Sequence, residues 1–186
     1  DDYYGTPRAS DYLADVNGIE RRHDVEPGAV LDVPVGREDL ERYRRRTEAK
    51  IFYNRGIALA EGGDYEGARE AFSLARRTDP GFADAGYNLG VVLLSMGEPE
   101  RAAAVLSEVL ESRPNEASTE FALGKALFDS GHNDAALAHF DRARALDEDL
   151  EEAHFARAVA LLRLGRLDEA VFALDRYLRD FPDGAW

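Results

Sequence analysis

The sequence predicts an all-α fold in which helical hairpins stack on one another as an α-solenoid, after a mostly irregular N-terminal extension. The first observation is a repeat, because residues 53–64 read YNRGIALAEGGD and residues 87–98 read YNLGVVLLSMGE. The second is that rows of 34 residues, counted from Ala49, follow one another without a gap to residue 184. The third is that apolar residues recur at helical spacing on both sides of a glycine near the middle of a row.

Six columns of these rows hold the same or similar residues in almost every copy. They are Gly56, Gly90, Gly124 and Ala158; Leu59, Leu93, Leu127 and Leu161; Gly63, Gly97, Gly131 and Gly165; Ala68, Ala102, Ala136 and Ala170; Phe72, Leu106, Phe140 and Leu174; and Pro80, Pro114, Glu148 and Pro182. A single helical hairpin cannot bury its own apolar face, so stacked neighbours must supply the core. The repetition is therefore a building block and not a duplicated active site.

Each row is predicted to contain two antiparallel helices. The glycine near the middle follows the first helix, where a left-handed residue is easiest to place without a side chain. The proline that closes the row stops the second helix. The predicted repeats are 49–82, 83–116, 117–150 and 151–184, followed by a short C-terminal end at 185–186.

The chain ahead of the repeats is predicted to have two parts. Residues 1–36 include the extended stretch EPGAVLDVPVG, so this extension is expected to be irregular, with one short helix at most. Its tyrosines and aliphatic residues favour contact with the repeats or a partner over a solvated tether. From Arg37, REDLERYRRRTEAK contains no helix breaker, so residues 37–48 are expected to form a helix that leads into the first repeat.

The composition argues against several classes of protein. The net charge of −14 lacks the basic footprint that nucleic acid requires. No apolar run approaches the length of a membrane span, so a membrane is expected to be reached only through an anchor outside this sequence or through a partner. The absence of cysteine removes disulfides and thiolate metal sites, and it is compatible with an exported protein.

Catalytic signatures are missing from the sequence. His132 and His139 are about 10 Å apart if they lie on one helix, which is too far for a shared metal ion. The acidic residues fall on predicted exposed faces, the phosphate-binding glycine motifs are absent, and no serine has a histidine placed to activate it. We therefore expect no enzyme activity, no cofactor and no metal.

The 34-residue period and its columns resemble the tetratricopeptide repeat (TPR) family over residues 49–184. The sequence departs from the family pattern where a bulky residue is usual, since that column reads Phe52, Gly86, Glu120 and His154. The resemblance implies a right-handed superhelix whose first helices line a concave groove that binds extended or helical peptides. It also implies a protein-interaction role.

Carried over to this sequence, the groove is expected to be an aromatic and aliphatic stripe for an apolar partner segment. Its residues are Tyr53, Asn54, Ile57, Tyr87, Asn88, Val91, Leu94, Phe121, Lys125, Phe128, Phe155, Val159 and Leu162. Asn54 and Asn88 are expected to bind the partner backbone, because an amide side chain both donates and accepts. Family members that hold a chaperone C-terminal carboxylate use a Lys, Asn and Arg clamp, of which only Asn88 is matched here, so such a tail is not expected as the partner.

The last repeat is expected to carry an interface. Terminal repeats normally turn a polar side to water, whereas this one places apolar residues where the earlier repeats have small or charged ones. The expected C-terminal interface comprises Val171, Phe172, Leu178, Phe181 and Trp186. The alternative is that Phe172 and Phe181 fold back on their own hairpin.

The function predicted first is a non-catalytic scaffold that binds a partner protein in its groove, within a bacterial multiprotein or envelope assembly. One alternative is a self-associating subunit that stacks through its C-terminal repeat. Another is the TPR portion of a larger enzyme. The sequence leaves the partner, the compartment and the oligomeric state open.

Overall fold

A computed structural model describes residues 37–182 and residue 184 of the chain. The described part contains eight helices joined by short loops. They are α1 (Arg37–Glu61), α2 (Tyr65–Thr78), α3 (Ala83–Ser95), α4 (Pro99–Ser112), α5 (Ala117–Asp129), α6 (Asn133–Leu146), α7 (Glu151–Arg163) and α8 (Leu167–Asp180). The predicted extension at 1–36 lies outside the described residues, so its expected contacts stay a prediction.

The helices pair into four hairpins, α1 with α2, α3 with α4, α5 with α6 and α7 with α8. The first helices of the last three hairpins and the second helices of all four begin at intervals of one sequence repeat. Each hairpin also packs against the next, so the core continues from hairpin to hairpin. The all-α solenoid predicted from the period is confirmed.

The glycine between the two helices of each hairpin has the left-handed conformation that the sequence predicts. The φ angles are +79° at Gly63, +74° at Gly97, +86° at Gly131 and +72° at Gly165. In the first hairpin Gly63 N donates to Ala60 O and Asp64 N donates to Leu59 O, and the other three hairpins repeat this pair of bonds. These bonds satisfy carbonyls left over at the end of the first helix.

Close approach of the two helices depends on glycine in the first three hairpins. A Cβ atom on Gly56 would lie 2.7 Å from the Phe72 ring, and one on Gly90 would lie 2.5 Å from Leu106 Cγ. Phe72 and Leu106 are almost completely buried as a result. The columns that align in the sequence are thus in contact across each hairpin.

The helix ahead of the first repeat is continuous with its first helix, and α1 spans 25 residues. Arg46, in the part of α1 ahead of the first repeat, contacts the repeats. Its guanidinium donates to Asp79 at 2.9 Å and lies 4.0 Å from the centre of the Phe82 ring. None of the described helices is long and apolar enough to span a bilayer.

Candidate functional site

The groove predicted from the sequence lies along the first helices of the hairpins. Contacts link α3 with α5 and α5 with α7, as expected for neighbouring helices on the inner side of a curved array. Among the predicted groove residues, Asn54, Val91, Lys125 and Leu162 are exposed and the others are half-buried. None of them is fully buried, so the stripe belongs to the surface along its whole length.

Aromatic rings of the groove pack against the second helix of the same hairpin. The ring centres are 5.7 Å apart for Tyr53 and Phe72, and 5.8 Å apart for Phe121 and Phe140. The centres of Phe155 and Tyr177 are 5.6 Å apart. These rings therefore hold the hairpins together as well as facing the groove, and their orientation is fixed before any partner arrives.

Asn88 already has a partner within the protein. Its Nδ2 donates to Tyr53 Oη at 3.0 Å, which links α3 to α1 across the groove. This bond uses one of the donors expected to bind the backbone of a partner. Asn54, the other predicted asparagine, lies exposed at the edge of the groove.

Tyr87 occupies the groove in the second repeat as a neutral hydroxyl. Burial raises the pKa of Tyr87 above its usual value, the negative charge of Glu116 raises it further, and a hydrogen bond with Ser118 acts in the opposite direction. The hydroxyl is therefore protonated at neutral pH and remains able to donate.

A cavity of about 210 Å³ opens between α5 and α7, in the third and fourth repeats. Its apolar lining consists of Phe121, Phe128, Phe140, Phe155, Ala156 and Val159, and its polar lining of Lys125, Asp129 and Glu152. Lys125 Nζ is 2.9 Å from Asp129 Oδ2, so this pair forms one side of the rim. The cavity thus combines an apolar floor with a charged rim, as sites for an apolar side chain usually do.

Arg163 binds Phe128, one of the rings that line the cavity. Its guanidinium lies 3.8 Å from the centre of the Phe128 ring, and its Nη1 donates to Phe128 O at 3.1 Å. Arg163 therefore joins α7 to α5 at Phe128.

An alanine lines this cavity where the second repeat has an asparagine. Asn88 bonds to Tyr53 between the first two repeats, whereas the equivalent residue of the fourth repeat is Ala156, which cannot reach across to Phe121. Sequence reasoning included Phe121, Lys125, Phe128, Phe155 and Val159 in the groove but missed Phe140, Ala156 and Glu152. That column gives no signal for the opening, because the third repeat also has an alanine there, Ala122.

A larger cavity of about 880 Å³ lies outside the groove, against α2, α3 and α4. Gly86, which stands in the column where a bulky residue is usual, lines it, and a Cβ atom there would lie 2.6 Å from Val109 Cγ2, so glycine lets α4 approach α3 closely. Arginines and glutamates line much of the wall, and Arg76 Nη2 meets Glu108 Oε2 at 2.5 Å across it.

The predicted C-terminal interface is divided between different surfaces. Val171 and Leu178 are exposed on one side of α8, and Phe172 is exposed further round the helix. Phe181 instead packs on its own hairpin, with ring-centre distances of 5.1 Å to His154 and 5.8 Å to Tyr177. The fold-back alternative thus describes Phe181 but not Phe172, while Trp186 lies outside the described residues.

One expectation about polar residues is wrong. The acidic residues were expected on exposed faces, but Glu120 is buried and its Oε2 lies 2.6 Å from His139 Nδ1 between α5 and α6. Ser130 Oγ is 3.2 Å from His132 Nδ1 in the turn after α5. Ser130 also donates to Ala126 O at 2.8 Å, so its hydroxyl serves as a helix-end hydrogen bond.

Metal ligands do not cluster in the described part of the chain, where no three His, Asp or Glu side chains are close enough to hold an ion.

His154 makes the stability of the fourth repeat sensitive to pH. It is buried, and its Nε2 lies 3.0 Å from Glu148 O. Burial lowers the pKa of His154; the charges of Arg144 and Arg176 lower it further, while the Glu148 bond opposes them. Below about pH 6.5 this histidine binds a proton more readily in the unfolded chain than in the folded chain, so protonation favours unfolding. Above that pH the histidine is neutral in both states.

We therefore expect the melting temperature to fall as the pH is lowered from about 8 to about 5.5, with part of that fall due to His154. The variant His154→Phe introduces the residue of the first repeat at that place, Phe52, and should show a smaller fall. Thermal unfolding of both proteins by circular dichroism across this pH range checks the difference. Equal falls in the two proteins would exclude His154 as the cause.

Comparison with known proteins places these repeats in a family. Two family models, both described as tetratricopeptide repeat, match the chain, one at residues 31–81 and 121–185 and the other at residues 59–122. A search of curated proteins found no match.

Several solved structures share the fold. MamA 41-end from Desulfovibrio magneticus RS-1 is 23% identical with a TM-score of 0.71, covering 80% of this chain and 88% of that chain. YrrB, described as a TPR protein with an unusual peptide-binding site, is 26% identical with a TM-score of 0.68, covering 73% of this chain and 70% of that chain. An O-GlcNAc transferase from Thermobaculum terrenum is 25% identical with a TM-score of 0.59, covering 63% of this chain but only 23% of its own.

Proposed function

Because the chain belongs to the tetratricopeptide repeat family, whose domains bind protein and peptide partners, we propose that its groove binds an apolar segment of a partner protein. The observation that carries the proposal is the cavity between α5 and α7. One apolar side chain of the partner enters this cavity, and the rest of the segment follows the stripe along the first helices.

The lining of the cavity supports an apolar anchor. Four phenylalanine rings face an opening whose floor contains no charged group. Water in such a space has few hydrogen-bond partners, so its replacement by an apolar side chain is favourable. The rings are already held by Arg163 and by packing on the second helices, and little conformational freedom is lost on binding.

The charged residues at the rim of the cavity favour partner segments of one charge over the other. Lys125 is paired with Asp129, which leaves Glu152 as the uncompensated charge among the lining residues. The protein as a whole carries a net charge of −14. A segment with basic residues beside its apolar anchor is therefore attracted, and an acidic segment is repelled.

Partner binding is tested by filling the cavity. The proposed variant is Ala156→Phe, because truncating a groove ring would also remove core packing and confuse binding with stability. A peptide is first selected from a random peptide library against the immobilised protein, and its affinity is measured by calorimetry. We expect Ala156→Phe to weaken this peptide on the order of tenfold or more, since its ring occupies the place of the anchor.

The matched control is Ala138→Phe. Ala138 is exposed on α6, and the fourth repeat already carries a phenylalanine, Phe172, at the equivalent place. This variant should bind the peptide as the unaltered protein does. If Ala156→Phe also leaves the affinity unchanged, the binding site lies elsewhere on the repeats.

On this proposal the protein acts as an adaptor in a multiprotein assembly, of bacterial or envelope type as the sequence analysis favours. The match to a fraction of an O-GlcNAc transferase favours one second candidate, the TPR portion of a larger enzyme. The length of the parent gene distinguishes the two, because an additional catalytic domain encoded in it would support the second.

A further inference from the structure

The last helix of the array carries an apolar stripe with no partner among the described residues. Leu167, Val171 and Leu178 recur at spacings that place them on one side of α8. Their exposed fractions are 61%, 64% and 65%. Three large apolar side chains on one side of a helix are more than scattered surface residues, so the stripe needs an occupant.

The third repeat shows what occupies this surface. The residue equivalent to Val171 in the third repeat is Leu137, which is 7% exposed. Leu137 belongs to the same core cluster as Ala158, Ala160 and Leu161 of α7. At the junction of the third and fourth repeats, therefore, α7 covers this side of α6 at Leu137.

The opposite end of the array carries the complementary surface. Ile51 on α1 is 47% exposed, whereas its equivalents Ala85, Thr119 and Ala153 have no exposure. Ala58 on the same helix is exposed, and its equivalents Val92, Ala126 and Ala160 are buried. The side of α1 that later repeats turn toward their predecessor is thus unoccupied by described residues.

The charges at the two ends match in register. Arg157 on α7 donates from Nε to Asp141 Oδ1 on α6 at 2.6 Å, an ion pair between the fourth and third repeats. The residue equivalent to Arg157 in the first repeat is Arg55, and the residue equivalent to Asp141 in the fourth repeat is Asp175. At the junction of the first and second repeats the equivalent residues are Leu89 and Ser73, and at the next junction they are Leu123 and Ser107. Neither of these pairs can form an ion pair.

We propose that a second copy of this chain occupies the stripe, with its α1 packed on α8 of the first copy as α7 packs on α6. Arg55 of one copy pairs with Asp175 of the other, and Ile51 and Ala58 cover the stripe. Asp175 is available for this pairing because its side chain is 68% exposed and, among the described residues, meets only the exposed Arg179 of its own helix, at 2.9 Å. The contact is head to tail, so a dimer still has one free head and one free tail, and longer arrays form.

This contact is separate from the groove. The stripe lies on a second helix, and the cavity between α5 and α7 keeps its opening when copies stack. Failure of one proposal therefore leaves the other standing. The net charge of −14 on each copy opposes association, so the assembly is expected to depend on protein concentration.

Sedimentation velocity across a concentration series tests the proposal. The unaltered chain should increase in mass with concentration, and the head variant Arg55→Asp and the tail variant Val171→Asp should each weaken association by roughly tenfold or more. A mixture of the two variants should form a dimer and nothing larger, because only the tail of the first and the head of the second remain intact. Circular dichroism checks that both variants stay folded.

Two further variants sharpen the result. Phe172→Asp is the matched control, since Phe172 is exposed to the same extent as Leu178 but its equivalents Glu70, Ala104 and Ala138 are exposed in every repeat. It should leave the association unchanged. Asp175→Arg alone should weaken association, and its combination with Arg55→Asp should restore it by exchanging the two charges.

Three outcomes would overturn the proposal. A chain that stays monomeric at every concentration has no such contact, and a lower melting temperature of Val171→Asp would then assign the stripe to residues 1–36 of the same chain. A head variant that assembles as well as the unaltered chain would indicate contact between two tails. A mixture of head and tail variants that stays monomeric would exclude the head-to-tail arrangement.

Discussion

Replacing Phe72 with alanine is expected to lower the free energy of unfolding by about 3–5 kcal/mol. The ring is 1% exposed and lies against Gly56 of the opposite helix, where no side chain is available to move into the space. It also contacts Tyr53, whose ring centre is 5.7 Å away. The loss therefore combines removed apolar contact with a cavity that the hairpin cannot close.

Urea denaturation followed by circular dichroism measures this loss. Phe172→Ala removes the same atoms from a ring that is 65% exposed, and it should change stability by no more than about 0.5 kcal/mol. Similar losses in the two variants would contradict the assignment of Phe72 to the core and Phe172 to the surface.

Replacing Gly90 with valine is expected to lower the free energy of unfolding by about 1–3 kcal/mol. The new Cβ would lie 2.5 Å from Leu106 Cγ, which is the branch point of that side chain and cannot swing aside as a chain end could. Leu106 is fully buried, so it has no free space to enter. The gain in helix propensity over glycine offsets only part of this strain.

A double-mutant cycle separates this clash from other effects of the substitution. Leu106→Ala removes the atoms that the valine meets, so the double variant should be more stable than the sum of the two single losses predicts. Denaturation curves of the four proteins give the coupling. Single losses that add within about 0.5 kcal/mol would show that Gly90 and Leu106 do not constrain each other.

The repeat architecture could be predicted from the sequence because its signals are local and occur several times. A left-handed glycine after each first helix and apolar residues at helical spacing act within one hairpin, and the 34-residue period repeats them. Pro80, Pro114 and Pro182 follow the ends of α2, α4 and α8, but α6 ends at Leu146 with Glu148 in that column. Proline is therefore a sign of the helix end and not its only cause.

The groove was predicted as a stripe but not as a site. The helix positions of its residues follow from the period alone, whereas the cavity is lined by residues such as Phe121 and Ala156, which come together from different repeats. Asn88 illustrates the same limit, because its bond to Tyr53 joins residues 35 apart in the chain. The sequence shows that an asparagine faces the groove but not which neighbour it meets.

The sequence by itself determined the all-α solenoid, its four hairpins and the helices that carry the groove, since hairpin packing repeats with the chain. Only the tertiary structure decided where the groove opens, that Glu120 is buried beside His139, and that Phe181 folds inward while Phe172 faces outward. It also showed that Arg157 and Asp141 form an ion pair between the fourth and third repeats. The physical reason is that burial and pairing depend on side chains brought together from neighbouring repeats, and a column comparison cannot place those side chains against one another.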